Sequence, residues 1–110
     1  MASIFHICPQ SDWEKAKERG EYLAQSIEEA GFIHCSGFDQ ILRVANHYYS
    51  GASGLVLLII DPEKVLPEIR WEAADGDQFP HIYGSLNLDS VIGVHDFLPD
   101  EDGVFRAIPV

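Results

Sequence analysis

A run of six consecutive apolar residues, Leu55–Ile60 with the sequence LVLLII, constrains the fold more than any other feature of the chain. A strand with one solvated face alternates apolar and polar side chains, whereas a continuous apolar run of this length is typical of a strand covered on both faces. The run is far shorter than the roughly 20 apolar residues that span a bilayer. The sequence therefore predicts a strand here that is buried on both sides.

Shorter patterns indicate the remaining elements. Ser11 and Glu14 fit a capping box that begins a helix ending near Gly20. Helices come early and strands dominate the second half, which predicts an α+β fold in one domain over residues 1–110. The other predicted segments are a strand over Ser3–Cys8 stopped by Pro9, a helical turn from Leu23 ended by Gly31, a strand over Phe32–Ser36, a helix over Phe38–Tyr49, a turn or short helix from Asp61, strands over Glu68–Ala73, His81–Tyr83 and Val91–Leu98, and a pairing segment over Val104–Ala107.

The charge balance narrows the classes of partner. The chain has 18 acidic residues against 7 basic ones, a formal net charge of −11. Such a surface repels phosphate backbones and anionic membranes, so nucleic acid is disfavoured and a small-molecule ligand or a protein partner is favoured. The first ten residues lack the basic flank and long apolar stretch of a signal peptide. With Cys8 and Cys35 interpreted as buried free thiols, we expect a soluble cytoplasmic protein, with no membrane segment.

Three predicted strands each carry one polar and one apolar side. Side chains alternate along a strand, so residues two apart share a face. The polar sides carry His34 with Ser36 and Phe32, Arg70 with Glu72, and His81 with Tyr83; the sides expected to face the core carry Ile33 with Cys35, Ile69 with Trp71, and Ile82. If the polar sides line one sheet surface, they form a cleft that His6 of the first strand can join.

Each of these side chains also has a structural interpretation. Ser36, with Asp39, is suited to cap the helix that follows it, and a helix start there can hold a phosphate or carboxylate beside His34. A strand histidine is often satisfied by a backbone carbonyl, and Arg70 and Glu72 can pair with neighbours. The histidines and cysteines show none of the spacings of metal sites, and no nucleophile motif is present, so we expect no metal.

Long motifs over nearly the whole chain resemble a small bacterial family known as domain of unknown function 952. The residues that carry the resemblance are Phe5–Ile7, Trp13, Tyr22, Gly31–Ser36, Gln40, Ala45–Asn46, Leu55–Asp61, Arg70–Glu72, Phe79–Gly84 and Leu86–Leu88. The segments GFIHCS and FPHIYG are the most specific of these.

The resemblance implies a fold similar to ADP-ribosyltransferases, in which split small β-sheets open a cleft for NAD. The pattern is most similar to that of NAD-dependent RNA 2′-phosphotransferases. By that likeness His6 and His34 bind nucleotide hydroxyls or phosphate and Ser36 assists. Tyr83 stacks on a ring, and Glu72 stabilises a ribosyl cation or orients a nucleophile. The arginines of the phosphotransferases are absent, so RNA phosphotransfer is disfavoured.

Three hypotheses about function stay open. The first is an uncharacterised domain that binds an NAD-like nucleotide or a phosphorylated metabolite through His6, Ser36, Arg70, His81 and Tyr83, with His34 and Glu72 as catalytic residues for ribosyl or phosphoryl transfer. The second is a non-catalytic module that binds a small molecule or a protein. The third assigns the same motifs a structural role. Whether the chain is an enzyme is left open by its sequence.

Overall fold

A computed structural model describes residues 2–109, and within this range it contains three antiparallel sheets and three α-helices. This confirms the predicted α+β class. The strands are β1 (Ile4–Pro9), β2 (Glu21–Tyr22), β3 (Ile33–His34), β4 (Leu55–Ile60), β5 (Glu68–Ala74), β6 (Asp77–Tyr83), β7 (Leu86–Asn87) and β8 (Val91–Phe97). The helices are α1 (Gln10–Arg19), α2 (Ser26–Ala30) and α3 (Ile41–Tyr48), with single 3₁₀ turns at Pro62–Lys64 and Leu88–Ser90.

The apolar run forms a strand, β4, as predicted, and β4 is the central strand of the sheet β1-β4-β8. Leu58 lies on one face of the strand, in a core with Trp13 of α1 and Ile82 of β6. Leu57 lies on the other face, in a second core with Ile41 of α3. Leu57 and Leu58 are both fully buried. An alternating strand would have left one of these layers without apolar surface to cover, so the continuous run sets the layered architecture.

The second sheet, β3-β6-β5, brings together the three strands with polar sides. Its register places Ile33 opposite Ile82 and Ile82 opposite Ile69. Residues directly opposite each other on antiparallel strands share a face. The isoleucine face packs on the core that contains Leu58. The predicted core position of Trp71 is wrong: β5 is an edge strand, and the indole on it is 49% exposed.

Helix starts differ from the predicted caps. Helix α1 begins at Gln10, directly after Pro9, and no side chain caps it, so Ser11 is not its N-cap. Pro9 itself is the last residue of β1 and pairs with Leu55. Gly31 does end α2 in the left-handed conformation (φ 85°), as predicted, and its N–H donates to the Ile27 carbonyl.

Helix α3 is shorter than predicted. It begins at Ile41 rather than Phe38, and neither Ser36 nor Asp39 caps it. Instead, the side-chain oxygen of Gln40 accepts a hydrogen bond from the Gly37 N–H at 2.8 Å. That contact uses an amide that an anion at the predicted helix start would need. Phe38 lies outside the helix and is exposed.

Strand β6 is longer than the predicted His81–Tyr83. It extends back through Pro80 to Asp77 because the turn at Asp75 and Gly76 aligns it with β5 along their length. Both turn residues have positive φ (50° and 80°), as a tight two-residue hairpin turn requires. None of the helices in residues 2–109 combines the length and the apolar character needed to cross a bilayer.

The segment after β8 returns to α3 without forming the predicted strand over Val104–Ala107. Asn46 of α3 donates a hydrogen bond to the Phe105 carbonyl at 2.9 Å and accepts one from the Phe105 N–H at 2.7 Å. These two bonds satisfy the backbone N–H and C=O of Phe105, which strand pairing would otherwise have satisfied. They hold the buried Phe105 ring against Phe97.

We expect Asn46→Ala to lower the free energy of unfolding by about 1–3 kcal/mol, because it leaves a backbone N–H and C=O without partners at a partly buried position. Urea denaturation measures the change. His47→Ala, at the next and exposed position of α3, is the matched control and should change stability by less than about 0.5 kcal/mol. Equal effects of the two substitutions would contradict a stabilising role of the two hydrogen bonds between Asn46 and Phe105.

Candidate functional site

A cavity of about 840 Å³ opens between β1, α3 and the sheet β3-β6-β5, and we call it the central cavity. Its size lies within the range of about 300–1,000 Å³ that is usual for small-molecule sites. The polar and charged side chains around it are His6, Asp12, Tyr22, Gln25, Ser26, His34, Ser36, Tyr48, Tyr49, Asp75 and His81, together with the thiols of Cys8 and Cys35. Among the described residues that line it, none is a lysine or an arginine.

Two histidines stand side by side at one wall of the central cavity. His34 of β3 pairs in register with His81 of β6, and their ring centroids lie 5.5 Å apart with the planes nearly perpendicular. Phe32 stacks on the His81 ring at 4.0 Å and contacts the His34 ring edge at 4.8 Å. Desolvation, and then the neighbouring His81, hold the pKa of His34 below its ordinary value. At neutral pH the His34 ring is therefore uncharged.

Glu72 of β5 lies behind His81 and fixes its orientation. One carboxylate oxygen, Oε1, accepts a hydrogen bond from His81 Nδ1 at 2.9 Å and a second, short one from the Tyr83 hydroxyl. The hydrogen bond from Tyr83 and then that from His81 lower the pKa of Glu72, and the same contact raises the pKa of Tyr83. Glu72 is thus a carboxylate that only accepts, so His81 carries its proton on Nδ1.

The Nε2 atom of His81 makes no hydrogen bond within residues 2–109. Every fully buried side-chain nitrogen or oxygen in this range has a hydrogen-bond partner. Since Nε2 has no such partner, it is not fully buried. The exposed 5% of the ring faces the central cavity that His81 lines, and Nε2 is therefore open to that cavity. With Nδ1 bound to Glu72, Nε2 is the ring nitrogen that is open to the cavity.

His6 is buried, and both of its ring nitrogens are used within the protein. Nδ1–H donates to the His34 carbonyl, and Nε2 accepts from the Tyr22 hydroxyl at 2.7 Å. Burial lowers the pKa of His6 to about 4, so the ring is neutral near pH 7. This arrangement fixes the backbone of β3 at the residue whose ring faces the central cavity.

Ser36 joins the two sheets through its backbone. Its N–H donates to the Phe5 carbonyl, and its own carbonyl accepts from the Phe5 N–H, both at 2.8 Å. The predicted role of Ser36 as a helix cap is wrong, because α3 begins five residues later. Its side chain instead lines the central cavity beside His34.

The seven predicted site residues fall into two layers. His6, His34, Ser36 and His81 line the central cavity, whereas Arg70, Glu72 and Tyr83 do not. The register places Arg70 opposite His81, but its guanidinium pairs with Glu68 at 3.0 Å and lies 4.3 Å over the Tyr83 ring. The structure thus brings all three strands together, with β5 and the last residue of β6 supplying the outer layer.

Sequence reasoning missed several residues of the cavity. Tyr22, which fixes the His6 ring, lies on a two-residue strand without a recognisable pattern. At the rim, the Tyr48 hydroxyl donates to the Asp75 carboxylate at 2.7 Å and joins α3 to the β5–β6 hairpin. A contact across 27 positions leaves no local trace in the sequence. Only the presence of tyrosine in the family motif could have pointed to Tyr22.

The two cysteines are free and buried, as predicted. Burial raises the pKa of Cys8 to about 12 and raises that of Cys35 as well. Both are therefore thiols rather than thiolates at neutral pH, and neither is a reactive nucleophile. Within residues 2–109, no group of three or more His, Cys, Asp or Glu side chains is arranged to hold a metal ion.

The fold and the site together define a small α+β protein with a histidine-lined cavity between two antiparallel sheets. Residues 7–94 match the family described as "Protein of unknown function (DUF952)", and the chain belongs to that family, which confirms the resemblance seen in its motifs.

Solved structures of one relative share the whole architecture. The crystal structure of protein CC0527 from Caulobacter crescentus is 32% identical and superposes with a TM-score of 0.87, covering 96% of this chain and 94% of that one. A crystal structure of its double mutant gives the same values. Its solution NMR structure gives a TM-score of 0.84 at 32% identity, covering 96% of this chain and 93% of that one. No curated protein matches the chain.

Proposed function

We propose that the central cavity binds an NAD-like nucleotide and that the protein transfers its ribosyl group. The observation that carries this proposal is an aromatic cavity of about 840 Å³ in which two histidines and a serine meet at one wall. Such sites combine a mostly apolar lining, which takes a planar ring, with a few hydrogen-bonding groups that fix its orientation. Ribose hydroxyls are suitable partners for His34 and Ser36.

The charge of the lining suits the nicotinamide end of NAD. Asp12 and Asp75 line the central cavity, and no described lysine or arginine does. The diphosphate of NAD would meet no cation among these lining residues, whereas its nicotinamide ring is positively charged and is attracted both to carboxylates and to aromatic faces. The same charge argument disfavours phosphoryl transfer and nucleic acid as functions of this site.

The motifs that resemble ADP-ribosyltransferases support the same ligand class. In this proposal His34 contacts the nucleotide, and Glu72 acts through the residues it orients rather than on the ribose directly. The two free buried thiols support a reducing, cytoplasmic location. Tyr83 supports Glu72 through its hydrogen bond, and Arg70 lies over the Tyr83 ring at the outer layer of the site.

Calorimetric titration with NAD, ADP-ribose and nicotinamide tests the binding. We expect NAD to bind and His34→Ala to weaken it by about tenfold, the effect of losing one good hydrogen bond. His95→Ala is the matched control, because His95 is an exposed histidine on β8 and does not line the central cavity.

Release of nicotinamide from NAD, followed by chromatography, separates an enzyme from the alternative, a non-catalytic module. Binding without turnover in the wild type would favour the module. Absence of binding by NAD, ADP-ribose and nicotinamide would overturn the proposed function.

A further inference from the structure

We propose that His81 is the general base of the central cavity and that Glu72 is the residue that positions it. This inference rests on the proposed function and deepens it, because it assigns the proton-accepting atom to His81 Nε2 rather than to His34. The argument starts from the hydrogen bond of 2.9 Å between His81 Nδ1 and the Glu72 carboxylate.

The hydrogen bond fixes which nitrogen can act as the base. Nδ1 holds the proton that it donates to Glu72, so the lone pair is on Nε2. The two nitrogens are separated by one ring carbon and their outward directions diverge widely, so Nε2 points away from Glu72, which does not line the central cavity. Phe32, stacked at 4.0 Å, prevents the ring from turning. His81 is thus held in one orientation, and its Nε2 atom is free to accept a proton from the cavity.

The same carboxylate stabilises the product of proton transfer. When Nε2 takes a proton, the ring becomes an imidazolium that is paired with Glu72. His34 has no equivalent partner: within residues 2–109 its ring makes no hydrogen bond or ion pair, and its aromatic neighbours are Phe32 and His81. A charged His34 would lie beside His81 without a carboxylate to offset it. Of the two histidines, only His81 is built to carry the charge.

The proposed step balances as follows. His81 Nε2 takes the proton from a water molecule or an acceptor hydroxyl. The oxygen forms a bond to the anomeric carbon of the nucleotide, and the bond from that carbon to the pyridinium nitrogen breaks. The bonding pair goes to that nitrogen, which loses its positive charge, and the proton on His81 passes to solvent. With water, the products are ADP-ribose, nicotinamide and a proton.

The first test needs no ligand. Long-range ¹H–¹⁵N NMR of the imidazoles is expected to show His81 as the Nδ1–H tautomer. Glu72→Ala should abolish the preference for this tautomer, because it removes the acceptor of the Nδ1–H; the other titratable groups that face the ring, Arg70, His34 and Tyr83, are unchanged. An Nε2–H tautomer in the wild type, or an unchanged preference for the Nδ1–H form in Glu72→Ala, would overturn the inference.

The second test measures nicotinamide release from NAD as a function of pH. We expect His81→Gln to lower kcat by a factor of about 10²–10⁴, the usual contribution of a general base. Glu72→Gln should move the acid limb of the profile to lower pH, an effect that a merely structural role would not produce. His95→Ala is the control and should leave the profile unchanged.

The outcomes separate this inference from the function on which it rests. Binding of NAD with no release of nicotinamide, or full activity of His81→Gln, overturns the assignment of His81 and leaves nucleotide binding standing. Failure of NAD to bind overturns the proposed function and, with it, the reaction assigned to His81. The NMR test then decides only whether Glu72 orients the ring.

Discussion

Leu58→Ala is expected to lower the free energy of unfolding by about 2–5 kcal/mol, the usual range for truncation of a buried leucine. Leu58 is fully buried in the central strand β4, in the core with Trp13 and Ile82. It lies directly opposite His6 in the register of β1 and β4. The substitution removes three carbon atoms from a position where two sheets and a helix meet, and the rigid surroundings close only part of the gap.

Urea denaturation at pH 7 measures the effect, and the chain offers a matched control. Leu66 is 82% exposed, so Leu66→Ala makes the same chemical change outside the core and should alter stability by less than about 0.5 kcal/mol. Similar losses in both variants would show that the two-sided burial of β4 is not what stabilises the fold. Because Leu58 faces His6, we also expect the variant to loosen the hydrogen bond that holds His34.

The architecture could be predicted where one residue pattern has one physical solution. Six consecutive apolar residues must be covered on both faces, and Leu55–Ile60 is so covered. Period two likewise predicted that Ile33 and Ile82 share a buried face, as they do. Trp71 follows the same alternation but is exposed, since β5 lies at the edge of its sheet and no layer covers that end. Strand order is a property of the whole fold, and alternation alone does not contain it.

The sequence predicted which residues belong to the site better than it predicted which of them line the cavity and which lie behind it. Alternation gave the shared face of His34, His81 and Arg70, which the register confirms. It could not show that Glu72 stands behind His81, because depth relative to the cavity depends on where β1 and α3 pack. The predicted start of α3 was wrong for a local reason: the Gln40 side chain turns back to accept from the Gly37 N–H, and the helix begins after it, at Ile41.

Lowering the pH from 7 to 4 is expected to destabilise the protein by about 3 kcal/mol through His6 alone. The pKa of His6 is lowered to about 4 in the folded state, chiefly by burial, from 6.5 in the unfolded chain. Between these values the unfolded chain binds a proton at this residue and the folded protein does not, so acid favours unfolding. The contribution is complete above pH 6.5 and is lost as the pH falls toward 4.

Other titratable groups change the stability either in a different pH range or in the same direction as His6. Asp77, with a pKa of about 2, and Glu72 have lowered values, so their contributions are lost only near or below the ordinary carboxyl range. His34 is also lowered and adds to the loss. Measurement between pH 7 and 5, where His6 should account for about 2 kcal/mol, therefore reports mainly on the histidines.

Urea unfolding of the wild type and of His6→Gln at pH 7, 6 and 5 isolates the contribution of His6, because His34 is present in both proteins. We expect His6→Gln to be less stable than the wild type at pH 7 and to lose most of the dependence of stability on pH. His95→Gln, which changes an exposed histidine, should keep that dependence. The groups that face His6 are Tyr22, Asp12 and the His34 ring, and none of them is altered. An equal dependence of stability on pH in the wild type and His6→Gln would mean that the folded protein binds a proton at His6 as readily as the unfolded chain does. The neutral ring could then not be what fixes the His34 carbonyl.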